Sequence, residues 1–176
     1  QKMSKSKRNY PDPMDMVEKY GADAVRYYLL SSSVVRAEDL RFKEQGVDEV
    51  SKKLLMRLDN VRSFYDLYVP AHPAGQKPSG PEDGSARLFV QRDATGTHLL
   101  DRWIIARLNQ TAKDITAGFE SYQLDAAARP LGDFIDDLST WYVRRSRDRF
   151  KSDDNAQALA TLRQVLYITA HLMAPI

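Results

Sequence analysis

Apolar residues recur every three or four positions along most of this chain, a spacing that predicts a mainly α-helical fold. One long amphipathic helix is predicted over about 43–68, and three further apolar stripes run over about 100–119, 124–150 and 159–172. Packing four such stripes around one core gives a helical bundle. Pro130 removes a backbone donor inside the third stripe, so we expect a kink or a fresh helix start there.

Two short helices are predicted ahead of the bundle. Asp12 and Pro13 are typical of a helix start, an N-cap acceptor followed by proline at the first helical position, for a helix of about 12–19. A second helix is predicted over about 23–32. The irregular pattern of residues 34–42 predicts an extended connector.

Composition changes abruptly between residues 69 and 98, where four prolines and four glycines interrupt any regular pattern. We expect a long connector over the surface here, with a brief strand over 87–90. The chain therefore divides into a front segment, 1–42, and a helical domain, 43–176.

The chain has the composition of a globular protein, with 43% hydrophobic and 28% charged residues. It contains no cysteine, which excludes disulfides and thiolate metal sites, and His72, His98 and His171 lie too far apart for a ligand motif. We therefore expect no metal site. No apolar run approaches the roughly 20 residues of a membrane helix, so a cytoplasmic protein without membrane contact is predicted. We also expect a monomer. Both ends look like internal positions of a longer protein.

A cationic loop opens the chain: its first eight residues hold four cations and no acid. Lys2 and Lys5 stand three positions apart around Met3 and Ser4, and Ser6 follows. Compact ammonium charges beside small hydroxyl residues suit the charge that builds on a departing pyrophosphate. A solvated basic tail is the alternative interpretation of the same residues.

The second candidate site is basic and aromatic. Residues 139–151 carry five cations against one acid, and single-stranded RNA is commonly bound by arginine planes and aromatic rings. On a regular helix, Arg145 and Arg149 share one face. Two alternatives stay open: the aromatic rings lie in the core, or the arginines pair with Asp136, Asp137 or Asp148. The candidate RNA contacts are Trp141, Arg144, Arg145, Arg147 and Arg149.

Adjacent carboxylates elsewhere are poor candidates for catalysis. Asp136-Asp137 and Asp153-Asp154 are neighbours in sequence, which on a helix point about 100° apart and share neither a proton nor a metal. The second pair is predicted to cap the last helix. No serine stands in a nucleophile elbow and no glycine-rich phosphate loop occurs, so the sequence predicts no complete active site.

Several stretches resemble one enzyme family. Residues 2–6 resemble the KMSKS loop of the class I aminoacyl-tRNA synthetases, and residues 20–26 resemble the helix that follows it in the subgroup for branched aliphatic amino acids. Residues 36–42 and 141–150 are similar to the isoleucine-specific branch. From end to end, apart from the connector at 69–98, the chain resembles the isoleucyl-tRNA synthetase family.

The resemblance implies a fold and a chemistry. Residues 1–42 would be the KMSKS loop and stem-contact segment of the catalytic domain, and residues 43–176 the anticodon-binding bundle. The family activates isoleucine with ATP and Mg²⁺ and transfers it to tRNA(Ile). In that scheme Lys5 would contact ATP and stabilise the transition state, with Lys2 assisting, while the loop is shaped by Met3, Ser4 and Ser6.

The same resemblance implies that other parts of the enzyme lie outside this chain, including the histidine-containing signature and the amino-acid pocket. We therefore expect the chain alone to be inactive. Two alternatives remain at this point. One is the corresponding segment of a valyl or another class I synthetase, and the other is a non-catalytic helical module with a basic tail that binds RNA or protein.

Overall fold

The computed structural model describes residues 12–69, 98–152 and 154–176, and every regular element in those ranges is helical. This confirms the predicted mainly α-helical fold. The loop at 1–8 and the strand predicted over 87–90 lie outside the described residues. In chain order the helices are α1 (Pro13–Tyr20), α2 (Ala22–Leu30), α3 (Glu44–Val50), α4 (Met56–Tyr68), α5 (Leu99–Glu120), α6 (Leu124–Asp136), α7 (Arg147–Lys151) and α8 (Ala156–Met173).

The two short helices form as predicted. Asp12 caps α1, because its Oδ1 accepts from the backbone N–H of Met14 at 2.8 Å and Pro13 occupies the first turn. Gly21 ends α1 with φ +87°, a conformation that glycine adopts without a steric penalty. Helix α2 begins at the next residue, so the chain turns sharply between the two helices.

The extended connector predicted over 34–42 is wrong in its first part. A 3₁₀ turn occupies Ser33–Arg36, and it starts where the Ser32 hydroxyl accepts from the N–H of Val34. The turn ends at Ala37 in the left-handed region, φ +59°. A serine that caps its own turn offers the backbone local hydrogen bonds, which a reading of the apolar pattern alone does not include.

The helix predicted over 43–68 is present, but it is not uniform. A π-helical segment, Ser51–Leu55, joins α3 to α4. Val47 in α3 is buried in a small cluster with Met16, Ala24 and Val25, whereas α4 belongs to the larger core. The long helix therefore connects the front segment to the bundle by packing against both.

Pro130 lies inside α6. Of the two expected outcomes, a kink or a fresh helix start, the fresh start is wrong because α6 begins at Leu124. Losing one backbone donor is offset here by burial on both sides of the proline, since Ala127, Leu131 and Phe134 are inaccessible to solvent. A second π-helical segment, Asp137–Val143, follows α6 directly and leads toward α7.

The larger core is shared by α4, α5, α6, α8 and the second π segment, which confirms the predicted bundle. Its largest fully buried side chains include Tyr142, Phe134 and Phe150. Helices α5 and α6 lie close together at Gly118, where an added Cβ would lie 2.6 Å from the backbone nitrogen of Ala127.

The predicted cap of the last helix is wrong. Asn155, not the acidic pair before it, occupies the N-cap position of α8, and its side chain donates to the Phe150 carbonyl at 3.1 Å instead of capping. Within the described ranges, no helix combines the length and the apolar character needed to span a bilayer.

Candidate nucleic-acid interface

The predicted phosphate-binding residues, Lys2, Met3, Ser4, Lys5 and Ser6, lie outside the described part of the chain. In the described part of the chain, α1 and α2 precede the bundle, and polar contacts attach them to the rest of the protein. Two groups of polar contacts provide that attachment.

The first group surrounds Glu44 at the start of α3. Its Oε1 accepts from Lys19 Nζ at 2.6 Å and from the Tyr20 hydroxyl at 2.9 Å. These hydrogen bonds lower the pKa of the Glu44 carboxyl, and the one from Lys19 has the larger effect. The pair with Glu44 also raises the pKa of Lys19. The end of α1 is thus tied to α3.

The second group surrounds Asp125 in the first turn of α6. Its side chain is 6% exposed, and its Oδ2 lies 3.1 Å from Arg129 Nη2 and 3.7 Å from Arg36 Nη2. Arg129 also donates through Nε to the Ser31 carbonyl at 3.3 Å. The chain after α2 is therefore held against the bundle by one buried carboxylate.

The basic and aromatic stretch forms an exposed surface on the bundle. Trp141 is 45% exposed, and the guanidinium carbon of Arg145 lies 4.1 Å from the centre of its ring. The Trp103 ring of α5 packs beside it, with ring centroids 5.5 Å apart. The alternative that the aromatic rings lie in the core is wrong for Trp141. It is right for Tyr142, which is fully buried.

Three of the predicted arginines, Arg144, Arg145 and Arg147, are solvent-exposed, and none forms an ion pair with a described residue. Two of the three acids expected to neutralise them, Asp136 and Asp137, have other partners. Asp136 pairs with Arg57, and Asp137 accepts from Arg107 at 2.6 Å. We refer to Trp103, Trp141, Arg144, Arg145 and Arg147 together as the candidate RNA-binding surface.

Arg149 differs from the other arginines. Its side chain is 22% exposed, and it donates from Nη1 and Nη2 to the two oxygens of Asp101 at 2.9 and 2.8 Å. Tyr142 donates its hydroxyl to Asp101 Oδ1 at 2.8 Å. Burial, together with the Asp101 charge, raises the pKa of Tyr142. The hydrogen bonds to Asp101 raise the pKa of Arg149.

Arg145 and Arg149, which a regular helix would place on one face, therefore differ in exposure. Ser146 lies between them, just before α7, at φ −89° and ψ 2°, a backbone conformation that departs from regular α geometry. The side chains emerge differently: Arg145 covers an exposed ring, and Arg149 turns inward to Asp101.

Asp101 is the residue that sequence reasoning missed. It lies in the first turn of α5 and is completely buried. The signal was present, because Asp101, Ile104 and Leu108 follow helical spacing, so the carboxylate falls on the apolar stripe. A charge on such a stripe predicts a buried partner of opposite sign.

The surface has the chemistry of a polyanion-binding site with a stacking platform. Arginine guanidinium groups bind phosphate oxygens, and an exposed indole ring offers a face to an unpaired base. The described residues include no group of three metal-ligating side chains.

Comparison with known protein families gives two matches along the chain. Residues 1–41 match the family of class I tRNA synthetases (I, L, M and V), and residues 101–176 match the anticodon-binding domain of tRNA ligase. The predicted phosphate-binding loop lies in the first match, and all five residues of the candidate RNA-binding surface lie in the second.

Individual relatives agree. The chain is 39% identical to isoleucine–tRNA ligase of Chlamydia abortus and 40% identical to that of Chlamydia muridarum, over 99% of its length in both cases. It spans 16% of the length of these relatives. The resemblance found in the sequence, to a segment of isoleucyl-tRNA synthetases, is thereby confirmed.

Proposed function

We propose that this chain is the segment of an isoleucine–tRNA ligase that joins the ATP-contacting KMSKS loop to the tRNA-binding helical bundle. The single observation that carries the proposal is the 39–40% identity to such ligases over 99% of the chain. Residues 1–42 form the loop and stem-contact segment, and residues 43–176 form the anticodon-binding domain.

The activity belongs to the whole enzyme, a cytoplasmic monomer that activates isoleucine with ATP and transfers it to tRNA(Ile). Mg²⁺ enters with ATP, because this ion is usually bound through substrate phosphates. The residues proposed to contact ATP are Lys2, Met3, Ser4, Lys5 and Ser6. Lys5 and Lys2 place positive charge where the pyrophosphate leaves, which stabilises the transition state more than the ground state.

The candidate RNA-binding surface contacts tRNA in this proposal. Arg144, Arg145 and Arg147 neutralise phosphates, and Trp141 stacks on an unpaired base. The exposure of all four side chains supports these roles. Arg149 is left out of the direct contacts because Asp101 already accepts from both of its terminal nitrogens.

Binding of a tRNA(Ile) transcript across a salt series tests the tRNA contacts. Each of Arg144→Ala, Arg145→Ala and Arg147→Ala should reduce the log–log salt slope by about 0.7 if the contact is to a single strand. Lys113→Ala removes one exposed charge from α5 outside the surface, and its slope should equal that of the parent. A salt response that is flat in the parent chain contradicts the proposal.

Two further measurements test the enzyme assignment. The isolated chain should give no isoleucine-dependent pyrophosphate exchange, since the resemblance places the rest of the nucleotide site outside it. In the complete enzyme, Lys5→Ala should reduce exchange by about 10²-fold or more, the usual effect of removing one group that stabilises developing charge. Unchanged exchange in that variant would remove the loop from the mechanism.

A further inference from the structure

A buried polar network joins α5 to the segment that carries the exposed arginines. Asp101 is completely buried and accepts three hydrogen bonds, from Tyr142 and from both terminal nitrogens of Arg149. All three distances are between 2.8 and 2.9 Å. Both carboxylate oxygens therefore have charge-assisted or hydroxyl donors, the condition under which a buried carboxylate is stable.

The location of Asp101 adds to this stability. It lies in the first turn of the 22-residue helix α5, where the helix dipole favours a negative charge. A planar guanidinium that meets both carboxylate oxygens fixes the orientation of Arg149 as well as its distance. The first turn of α5 thus provides a rigid attachment point.

The network holds a helix that could not persist alone. Helix α7 has five residues, well below the length at which an isolated helix is stable in water. Arg149 and Phe150 attach it to the bundle, the latter through ring contacts with Phe64 and Tyr142 at centroid distances of 5.2 and 6.3 Å. The exposed arginines lie between the two donors of the network, Tyr142 and Arg149.

We propose that Asp101 is a positioning residue for tRNA binding: through Tyr142 and Arg149 it holds Trp141 and the exposed arginines in one arrangement, without touching RNA itself. This inference rests on the proposed function of the surface. Arg149 accordingly supports the surface and is not a phosphate ligand.

The two roles of Arg149 predict opposite results when Asp101 loses its charge. If Arg149 were a phosphate ligand, Asp101→Asn would free it and tighten RNA binding, helped by the added positive charge. If the network positions the surface, Asp101→Asn leaves a smaller fraction of the molecules in the arrangement that binds RNA. The apparent affinity then falls in proportion to that fraction. The phosphate contacts in the complex are unchanged, so the salt slope stays the same.

The test compares two network variants, Asp101→Asn and Arg149→Lys, with the control Glu49→Gln. Like Asp101→Asn, the control removes one acid, but from an exposed pair with Lys53. Both network variants should bind a tRNA(Ile) transcript about fivefold more weakly or worse, at an unchanged salt slope. Glu49→Gln should bind like the parent. Lysine binds phosphate well but cannot meet both Asp101 oxygens, so equal affinity of Arg149→Lys and the parent overturns the inference.

Tryptophan emission gives a second readout that needs no RNA. The chain has two tryptophans, and Trp103 and Trp141 are both in the candidate RNA-binding surface. Emission should shift in both network variants while far-ultraviolet circular dichroism stays the same. If Asp101→Asn does not fold, Arg149→Lys decides. If the parent does not bind tRNA, the proposed function fails, and unchanged emission in Arg149→Lys then overturns the positioning role as well.

Discussion

Arg36 and Asp125 meet across the junction between the front segment and the bundle, with Nη2 and Oδ2 separated by 3.7 Å. The carboxylate is almost fully buried, while the guanidinium is half exposed. Arg129 approaches the same oxygen at 3.1 Å and also donates to the Ser31 carbonyl. One buried acid therefore holds the turn after α2 and the first turns of α6 together, which ties the direction of the front segment to that of the bundle.

Asp125→Asn should lower the free energy of unfolding by about 2 kcal/mol, because a nearly buried carboxylate loses its charge beside two arginines. Urea denaturation followed by circular dichroism measures it. Asp23→Asn is the matched control, because it removes the same charge from an exposed pair with Arg26. Its effect should stay within about 0.5 kcal/mol. If both variants lost the same free energy of unfolding, the buried Asp125 would contribute no more to stability than the exposed Asp23.

Gly118→Ala should destabilise the bundle by about 3 kcal/mol or prevent folding, because the new methyl group meets backbone atoms that cannot move aside. Its Cβ would lie 2.6 and 2.7 Å from the nitrogen and Cα of Ala127. Gly132→Ala serves as the comparison. There the added Cβ meets only the Tyr27 hydroxyl, at 3.0 Å, so the loss should be smaller. Thermal unfolding of the two variants checks the order.

The Glu44 pair should make stability depend on pH in acid. The pKa of Glu44 is lowered in the folded protein, chiefly by the hydrogen bond from Lys19. Folding is therefore favoured above the ordinary glutamate pKa, and this contribution is lost as the pH falls through the folded value. Urea midpoints of the parent and Glu44→Gln should differ near neutral pH and converge in acid. Since the pair is exposed, high salt should reduce the difference.

Trp141→Ala should weaken tRNA(Ile) binding by about 1–3 kcal/mol, the range for one base stacked on an aromatic side chain. The salt slope should not change, because no phosphate contact is lost. Tyr167→Ala removes another exposed ring, on α8, and should leave affinity unaltered. A loss in slope with Trp141→Ala would indicate that the ring acts by orienting Arg145 and not by stacking.

Helix existence and the shared core could be predicted from the sequence because both follow from spacing. The Asp12 cap and the stripes of α5 and α8 are local patterns, and tertiary packing agrees with them. The 3₁₀ turn at Ser33–Arg36 could not be predicted from spacing, because short polar side chains and a single left-handed residue decide it.

The candidate RNA-binding surface was predictable by composition but not by orientation. Arg145 and Arg149 are four residues apart, and regular helical geometry gives them the same exposure. Their difference depends on Ser146, where the helix is interrupted, and on Asp101, which is distant in sequence. A long-range pairing of this kind leaves only an indirect trace, one carboxylate on an apolar stripe.

The π-helical segment Asp137–Val143 has a consequence for how this region can change over generations. A π turn accommodates one residue more than an α turn, and it does so while Leu138, Tyr142 and Val143 all remain buried. Deleting one residue from this segment would return its backbone to ordinary α geometry. The helical residues before and after it would keep their relative orientation. A single-residue deletion is therefore expected to disrupt the backbone less here than in the α-helices of the same bundle.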